Sequence, residues 1–275
     1  MSRDRLRRLG RTLGRTALIL AAASYLALLV GLPLVNVYGQ AFARGVAGFV
    51  EGLSAPEARH AAKLTLLVVA IAVPANTVFG LAAAWVVARR RTALARLVRV
   101  ALDLPLAVSS TVIGLLVVLA WSPTIGLLAA PVRAAHVKVL FAWPGLVLAT
   151  VLVTLPYVAR EVLPALYQLE RAEEEAATVL GANRWQTFWR VVFPAIRSSV
   201  VYGVILCAAR AAGEFGAVSV VSGKLIGETN TLTLHVERAY AEYETISAFA
   251  AASLLTSVGI LTVALDALWR RRGRT

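Results

Sequence analysis

Glu173-Glu174-Glu175-Ala176-Ala177-Thr178-Val179-Leu180-Gly181, followed after nine residues by Val191-Val192-Phe193-Pro194, is a polar segment set between two long apolar runs. A charged insert of this size in an otherwise apolar chain needs a partner in water. Two amphipathic helices are expected within it. In the first, Leu169, Ala172, Ala176, Val179 and Leu180 recur at helical spacing, while Glu170, Glu173 and Glu174 fall on another face. Gly181 supplies the left-handed residue that ends a helix at low cost. In the second, Trp185, Phe188, Trp189 and Val192 follow the i, i+3, i+4, i+7 pattern, with Arg184, Thr187 and Arg190 off the stripe. Pro194 is expected to end this helix and lead into the next apolar run.

Working outward from this segment, six apolar runs reach the length of about 20 residues that a bilayer requires. They lie near 17–42, 64–88, 101–121, 144–166, 198–222 and 246–269. The chain has 275 residues, is 59% hydrophobic and has a mean hydropathy of +0.74. A water-soluble domain does not carry so many uninterrupted runs of span length. The first run follows a basic start, as in a signal peptide, but stays apolar through Leu32-Pro33-Leu34-Val35, so a retained span is expected. The fold class expected is therefore an all-α membrane protein: one transmembrane domain over 1–275, six transmembrane helices, and a polar loop over 167–197. Proline and glycine recur inside the spans (Pro74, Gly80, Pro156, Gly203 and Gly213 among them), which membrane helices tolerate because neighbours satisfy the freed backbone groups.

The net charge is +13, but the bases cluster at the ends of apolar runs instead of forming one stripe, which argues for membrane topology and against nucleic acid. One side carries Arg3, Arg5, Arg7, Arg8, Arg11 and Arg15; Arg89, Arg90, Arg91, Arg96 and Arg99; Arg171, Arg184, Arg190 and Arg197; and Arg270, Arg271, Arg272 and Arg274. The other carries only Arg44, Arg59, Lys63, Arg133, Lys138, Lys224 and Arg238. This 19-to-7 bias puts both termini and the 167–197 loop in the cytoplasm. Arg160 and Arg210 lie inside spans. Cys207 is the single cysteine and reads as a packing residue. His60, His136 and His235 are scattered and lack ligand-type neighbours, so no metal site is expected. No cofactor is expected either.

The spacing Glu-Ala-Ala, three residues, Gly, nine residues, then aliphatic, any residue, apolar, Pro resembles the cytoplasmic signature loop of ABC-importer permeases. Val191 stands where Ile is usual and Phe193 where Leu is usual, and both keep the apolar character. The resemblance implies the type I importer architecture, with Glu174, Glu175, Ala176, Ala177, Gly181, Trp185 and Pro194 forming a coupling helix pair that docks on an ATPase subunit. The simpler alternative is an interfacial helix lying on the headgroups, anchored by Trp185 and Trp189. The chain has no phosphate-binding loop of its own. Gly223-Lys224 is followed by Leu225 instead of Ser or Thr, and Val218 occupies the place of the first Gly. Energy therefore has to come from a partner.

Arg210 lies at the centre of the fifth run, with Glu214 one turn on. Charges at that depth pair or line a polar cavity. Two readings stand: a structural ion pair, or a gate or transient anion contact. Ala209, Gly213 and Ala217 form a small-residue face suited to close helix approach. The run Ala209–Gly223 resembles the sulfate and molybdate permeases. Its continuation, Gly227-Glu228-Thr229-Asn230-Thr231-Leu232 with Leu234–Glu237, is most similar to the W-type permease subunit of sulfate/thiosulfate importers. Leu104–Ser109 also matches, but Ser110 replaces a second Pro. The resemblance implies an inner-membrane subunit in the bilayer, paired with a second homologous permease, two ATP-binding subunits and an extracytoplasmic sulfate-binding protein. The chain would be non-catalytic and would form half the path, with Arg210, Glu214, Ser109 and Ser110 as candidate path or gate residues. Loops 122–143 and 223–245 would receive the binding protein; Lys224, Arg238, Arg133 and Lys138 read either as steering a dianion or, for each residue singly, as ordinary loop charges. A molybdate or tungstate importer is the alternative substrate reading.

Overall fold

A computed structural model of the chain describes residues 3–124, 126–134, 138–169 and 171–272. His136, Glu170 and Arg274 lie outside the described residues. Helices account for every regular element described. In chain order they are α1 (Arg3–Ala41), α2 (Gly45–Ser54), α3 (Pro56–Arg89), α4 (Ala93–Ala107), α5 (Ser110–Trp121), α6 (Ala129–Ala134) and α7 (Trp143–Gln168). Then come α8 (Arg171–Val179), α9 (Arg184–Thr187), a π turn (Phe188–Val192), α10 (Phe193–Ala212), α11 (Gly216–Val221), α12 (Leu232–Ala241) and α13 (Thr245–Arg272).

Five stretches are long and apolar enough to cross a membrane: Gly14–Ala41, Pro56–Arg89, Trp143–Gln168, Arg184–Ala212 and Thr245–Leu265. The third predicted run, 101–121, is not one straight helix. α4 stops at Ala107, and α5 restarts at Ser110 with its axis turned by 118°, so the run is a bent pair, and the described spans number five, or six where this pair is taken as one broken span. Pro105 and the extended Val108 and Ser109 interrupt the ladder there. The fifth run, 198–222, is interrupted too: α10 ends at Ala212, and α11 is a separate short helix. Apolar side chains such as Leu18, Leu29 and Val35 are exposed along α1, as a lipid solvent allows.

α7 is the hub of the bundle and packs on α3, α4, α5, α10 and α11. Two glycines bring the neighbouring backbones onto one spot of it. A Cβ on Gly80 of α3 would lie 3.1 Å from Ala159 N and from Val158 Cβ. A Cβ on Gly203 of α10 would lie 3.0 Å from Val158 Cα. In lipid there is no hydrophobic drive between helices, so close packing of small residues supplies the association. Polar groups follow the same logic. Asn76 donates to the Val151 carbonyl at 3.1 Å and to Thr154 Oγ1 at 2.7 Å. Cys207 is fully buried, with Sγ 3.8 Å from the Thr154 carbonyl, which agrees with a packing role. α1 lies at the edge on α13, where Tyr38 Oη meets Ser257 Oγ at 2.8 Å.

Replacing Gly203 with Leu should push α10 off α7 and destabilise the purified protein by roughly 1–3 kcal/mol. Gly31→Leu on α1, where an added Cβ meets nothing within 4 Å, should leave stability nearly unchanged. Thermal unfolding in one detergent checks both; equal effects would remove the glycine contact from its central place.

Candidate coupling loop and path

The 167–197 loop is built from local capping chemistry. α8 ends in a complete Schellman closure: Ala182 N–H bonds the Ala177 carbonyl at 3.0 Å, and Gly181 N–H bonds that of Thr178 at 3.0 Å. Gly181 has φ +85°, the left-handed geometry expected of it. Asn183 then caps α9 in a reciprocal box. Gln186 N–H donates to Asn183 Oδ1 at 2.8 Å, and Asn183 N–H donates to Gln186 Oε1 at 2.9 Å. The Asn-x-x-Gln spacing is itself a helix-start signal, which apolar periodicity alone passes over.

Two features of the loop differ from the periodicity-based expectation. Ala172, Ala176, Val179 and Leu180 face outward, with Val179 and Leu180 86% and 87% exposed. It is Glu174, expected on another face, that turns toward the bundle. Its carboxylate pairs with Arg89 at the end of α3. Arg89 also reaches the Leu169 carbonyl at 3.4 Å and lies 5.6 Å from the centre of the Trp85 ring. A tertiary ion pair outweighs the amphipathic pattern because the pair is mostly sheltered, whereas nothing among the described residues covers Val179 and Leu180. Second, Pro194 does not end a helix. The backbone widens into the π turn and runs on into α10, with Phe193 N–H bonded to the Phe188 carbonyl. A proline lacks the N–H that would reach Arg190 and crowds its carbonyl, and the wider turn relieves this. The extra residue also shifts the phase. Thr187 and Val192 are buried while Trp185 and Trp189 of the predicted stripe stay exposed. The aromatic row Trp185, Phe188, Trp189 and Phe193 packs ring on ring at 4.9–6.3 Å, as an interfacial anchor would.

The sequence-predicted path residues converge elsewhere. The break in α4–α5 meets the break in α10–α11: Ser110 Oγ occupies the place a Gly216 Cβ would take, and α5 and α11 pack together. Gly114 Cβ would lie 2.7 Å from the Ala217 carbonyl, so the small residue at Ala217 serves α5. The expected face of Ala209, Gly213 and Ala217 does not exist as one stripe, because the helix ends before Gly213. Arg210 and Glu214 do form an ion pair, although they do not share a continuous helix. Glu214 is 2% exposed, and its Oε1 accepts the Ala217 N–H at 2.9 Å. Its carbonyl accepts Thr233 Oγ1 at 2.9 Å, tying α12 to the same point. Ser109 is exposed at the start of α5. Sequence reasoning noted Arg160 only as a charge inside a span. It pairs with Asp103 at 3.7 Å, and both side chains are more than half exposed. Arg160 lines a groove of about 320 Å³ with Pro156, Tyr157, Glu161 and Leu206.

The 223–245 segment makes most of its polar contacts within the chain. Lys224 pairs with Glu237 at 2.7 Å, and Arg238 pairs with Glu57 and, at 3.5 Å, with Glu242. Thr229, Asn230, Thr231 and Leu232 are buried, and Leu232 N–H donates to Thr65 Oγ1 at 2.8 Å. Burial, then the nearby Arg238, lowers the His235 pKa from its usual range, against Glu57, Glu244 and Glu242. Its Nε2 lies 3.1 Å from Ser247 Oγ. Arg133 donates to the Pro123 carbonyl at 2.8 Å, and Lys138 is exposed. No group of three metal-ligating side chains occurs among the described residues.

Two outcomes are expected. Arg89→Gln and Glu174→Gln should each raise amide exchange across 171–179, and the double variant should exchange no faster than either, because one contact is lost in all three. Additive increases would sink the latch. At the helix break, Glu214→Ala should destabilise more than the double change Arg210→Met with Glu214→Gln, since it strands Arg210. Breaking a buried pair costs roughly 3–5 kcal/mol, and the one-third exposure of Arg210 puts the value at or below the low end. Equal or larger loss in the double variant, measured by thermal unfolding, would overturn the pairing.

Comparison with known proteins leads in the same direction. The family described as "Binding-protein-dependent transport system inner membrane component" matches residues 76–274. The sulfate transport system permease protein CysW of Synechococcus elongatus is 46% identical over 256 residues, covering 93% of this chain and 89% of its own. The sulfate transport system permease protein CysT of Escherichia coli is 33% identical over 251 residues, covering 91% and 90%. Among solved structures, a bacterial alginate ABC transporter in complex with an alginate-bound periplasmic protein superimposes with TM-score 0.76 at 16% identity, over 98% of this chain and 96% of its own, which shows a shared fold. The all-helical architecture is that of the type I ABC importer permeases, and the chain belongs to the inner membrane components of binding-protein-dependent transport systems, with the sulfate permeases as its high-identity relatives.

Proposed function

We propose that this chain is the membrane-spanning permease subunit of an ATP-driven sulfate or thiosulfate importer. The observation that carries the substrate is the 46% identity to a sulfate permease across nearly the whole chain. It favours sulfate over the molybdate or tungstate alternative. The multi-pass membrane subunit does no covalent chemistry. Both termini and the 167–197 loop lie in the cytoplasm, as the arginine bias requires.

The coupling role rests on the loop. Two capped helices joined through Gly181 form a rigid tip, and that tip carries exposed Val179, Leu180 and Trp185. An apolar tip on a cytoplasmic loop suits a cleft in an ATP-binding subunit. The tip is anchored to α3 through Glu174 and Arg89, and it runs without a loop into α10 through the π turn. Movement of the tip therefore acts on α3 and α10 together, the two helices that Gly80 and Gly203 press onto α7. Two ATP-binding subunits drive this movement. A second, related permease completes the path, and an extracytoplasmic binding protein delivers the anion. The existence of a T-type relative at 33% identity supports the unlike pair. The alginate transporter, a likeness of fold alone, was solved with its periplasmic protein in place, which supports the delivery protein.

The path runs along the face that exposes Arg160 and Asp103. Arg160 lies eight residues before the end of α7, about 12 Å along the helix. An exposed charge at that depth is costly against lipid, so this face meets water and the second permease. Paired charges and a shallow groove suit a dianion that must pass without tight binding. Lys224 and Arg238, already paired, are less available for steering than Lys138.

Reconstituted in vesicles with its partners, the complex should hydrolyse ATP faster with sulfate-loaded binding protein than with molybdate-loaded protein. In the same vesicles Gly181→Arg should abolish the stimulation while the permease remains inserted at normal abundance. Stimulation by molybdate alone would overturn the substrate, and full stimulation in Gly181→Arg would overturn the coupling role.

A further inference from the structure

A concavity of about 1070 Å³ opens between the end of α3, the start of α4 and the end of α7. Arg89, Arg90 and Arg91 enter it from the end of α3 and the link that follows. Arg96 and Arg99, three apart and so on one face of α4, enter from the other wall. Tyr167 of α7 also lines it. No Asp or Glu is among its lining residues. Arg89 is engaged by Glu174, but Arg90, Arg91, Arg96 and Arg99 are exposed and take part in none of the ion pairs among the described residues.

The positive-inside rule accounts for arginines on this side of the membrane. It does not account for gathering five of them around one hollow, where like charges repel. We propose that this hollow binds a tetrahedral oxyanion group, a phosphate or sulfate, at the cytoplasmic rim. Arginine suits it because a planar fork of donors matches such oxygens two at a time. Two sources share this chemistry: the headgroup phosphate of an anionic lipid, and a free sulfate or phosphate ion in the cytoplasm. The cytoplasmic placement rests on the orientation proposed above. The hollow includes Arg89, the anchor of the coupling loop, so its occupant sits beside the joint through which that loop moves α3.

The test uses the assembled transporter in nanodiscs. One arm compares phosphatidylcholine with and without phosphatidylglycerol and counts retained lipid by native mass spectrometry. The other titrates inorganic sulfate and phosphate into phosphatidylcholine nanodiscs and follows amide exchange over 89–99. The variant combines Arg91→Gln, Arg96→Gln and Arg99→Gln and leaves Arg89 in place. Each arginine removed near an anionic surface should weaken binding roughly fivefold. Loss of phosphatidylglycerol retention in the variant assigns the lipid source; loss of sulfate or phosphate protection assigns the free ion. Unchanged retention and unchanged protection in the variant, or no binding in either arm by the unmodified protein, would overturn the site. Labelling of Leu94→Cys from each side of a vesicle reports orientation separately. Labelling from outside would sink the cytoplasmic placement and leave the substrate result of the ATP hydrolysis assay standing.

Discussion

The close approach of three backbones at Val158 and Ala159 is the contact on which the rest of the bundle depends. Both residues are essentially inaccessible, and two glycines, one on each neighbouring helix, are what let α3 and α10 reach them. Lipid gives helices no hydrophobic reason to associate, so van der Waals contact between small residues and a few buried hydrogen bonds must hold them. Asn76, Thr154 and Cys207 gather around the same crossing and add polar register to the contact. Because Arg89 at the end of α3 pairs with Glu174 and the 167–197 loop runs directly into α10, the crossing also joins the two helices to which that loop is attached.

Rigidity and discontinuity are distributed to match. α10 is entered from the 167–197 loop without interruption, through a π turn that absorbs Pro194 without a break. The discontinuities lie farther along, where α4 gives way to α5 and α10 to α11, and they pack against each other. Glu214 sits at the second break: its carboxylate accepts the Ala217 N–H and pairs with Arg210, and its own carbonyl accepts the Thr233 hydroxyl. Irregular backbone at membrane depth is tolerated only where protein or a water-lined cavity satisfies it. This carboxylate does part of that work. The Arg210–Glu214 pair thus has a structural role that can coexist with one in the path.

Much of the candidate site was legible in the residues. Gly181 as a left-handed stop, two short helices around it, and Arg210 beside Glu214 all follow from local rules of conformation and charge. The failures have a common form. The stripe of Leu169, Ala172, Ala176, Val179 and Leu180 is a genuine amphipathic pattern, but periodicity says only which residues share a face, not whether that face turns inward. Leu169 is buried at the end of α7, and the others point away from the chain. Similarly, the stripe through Trp185 and Val192 assumed 3.6 residues per turn through a segment that adopts a wider turn.

What the sequence by itself determined is what depends on near neighbours and on the solvent: apolar runs of span length, the sidedness of arginine, the capped turn at Gly181, and membership in a family whose spacing it carries. What only the tertiary structure decided is what depends on distant residues meeting. Arg89 finds Glu174 across 85 positions, Gly80 and Gly203 find the same stretch of α7, and two helix breaks meet at Ser110 and Gly216. Five arginines that read as one topology signal share one hollow. The physical reason is that local energies set each helix and its ends, while the choice of partners is made by packing, and packing is a property of the whole bundle.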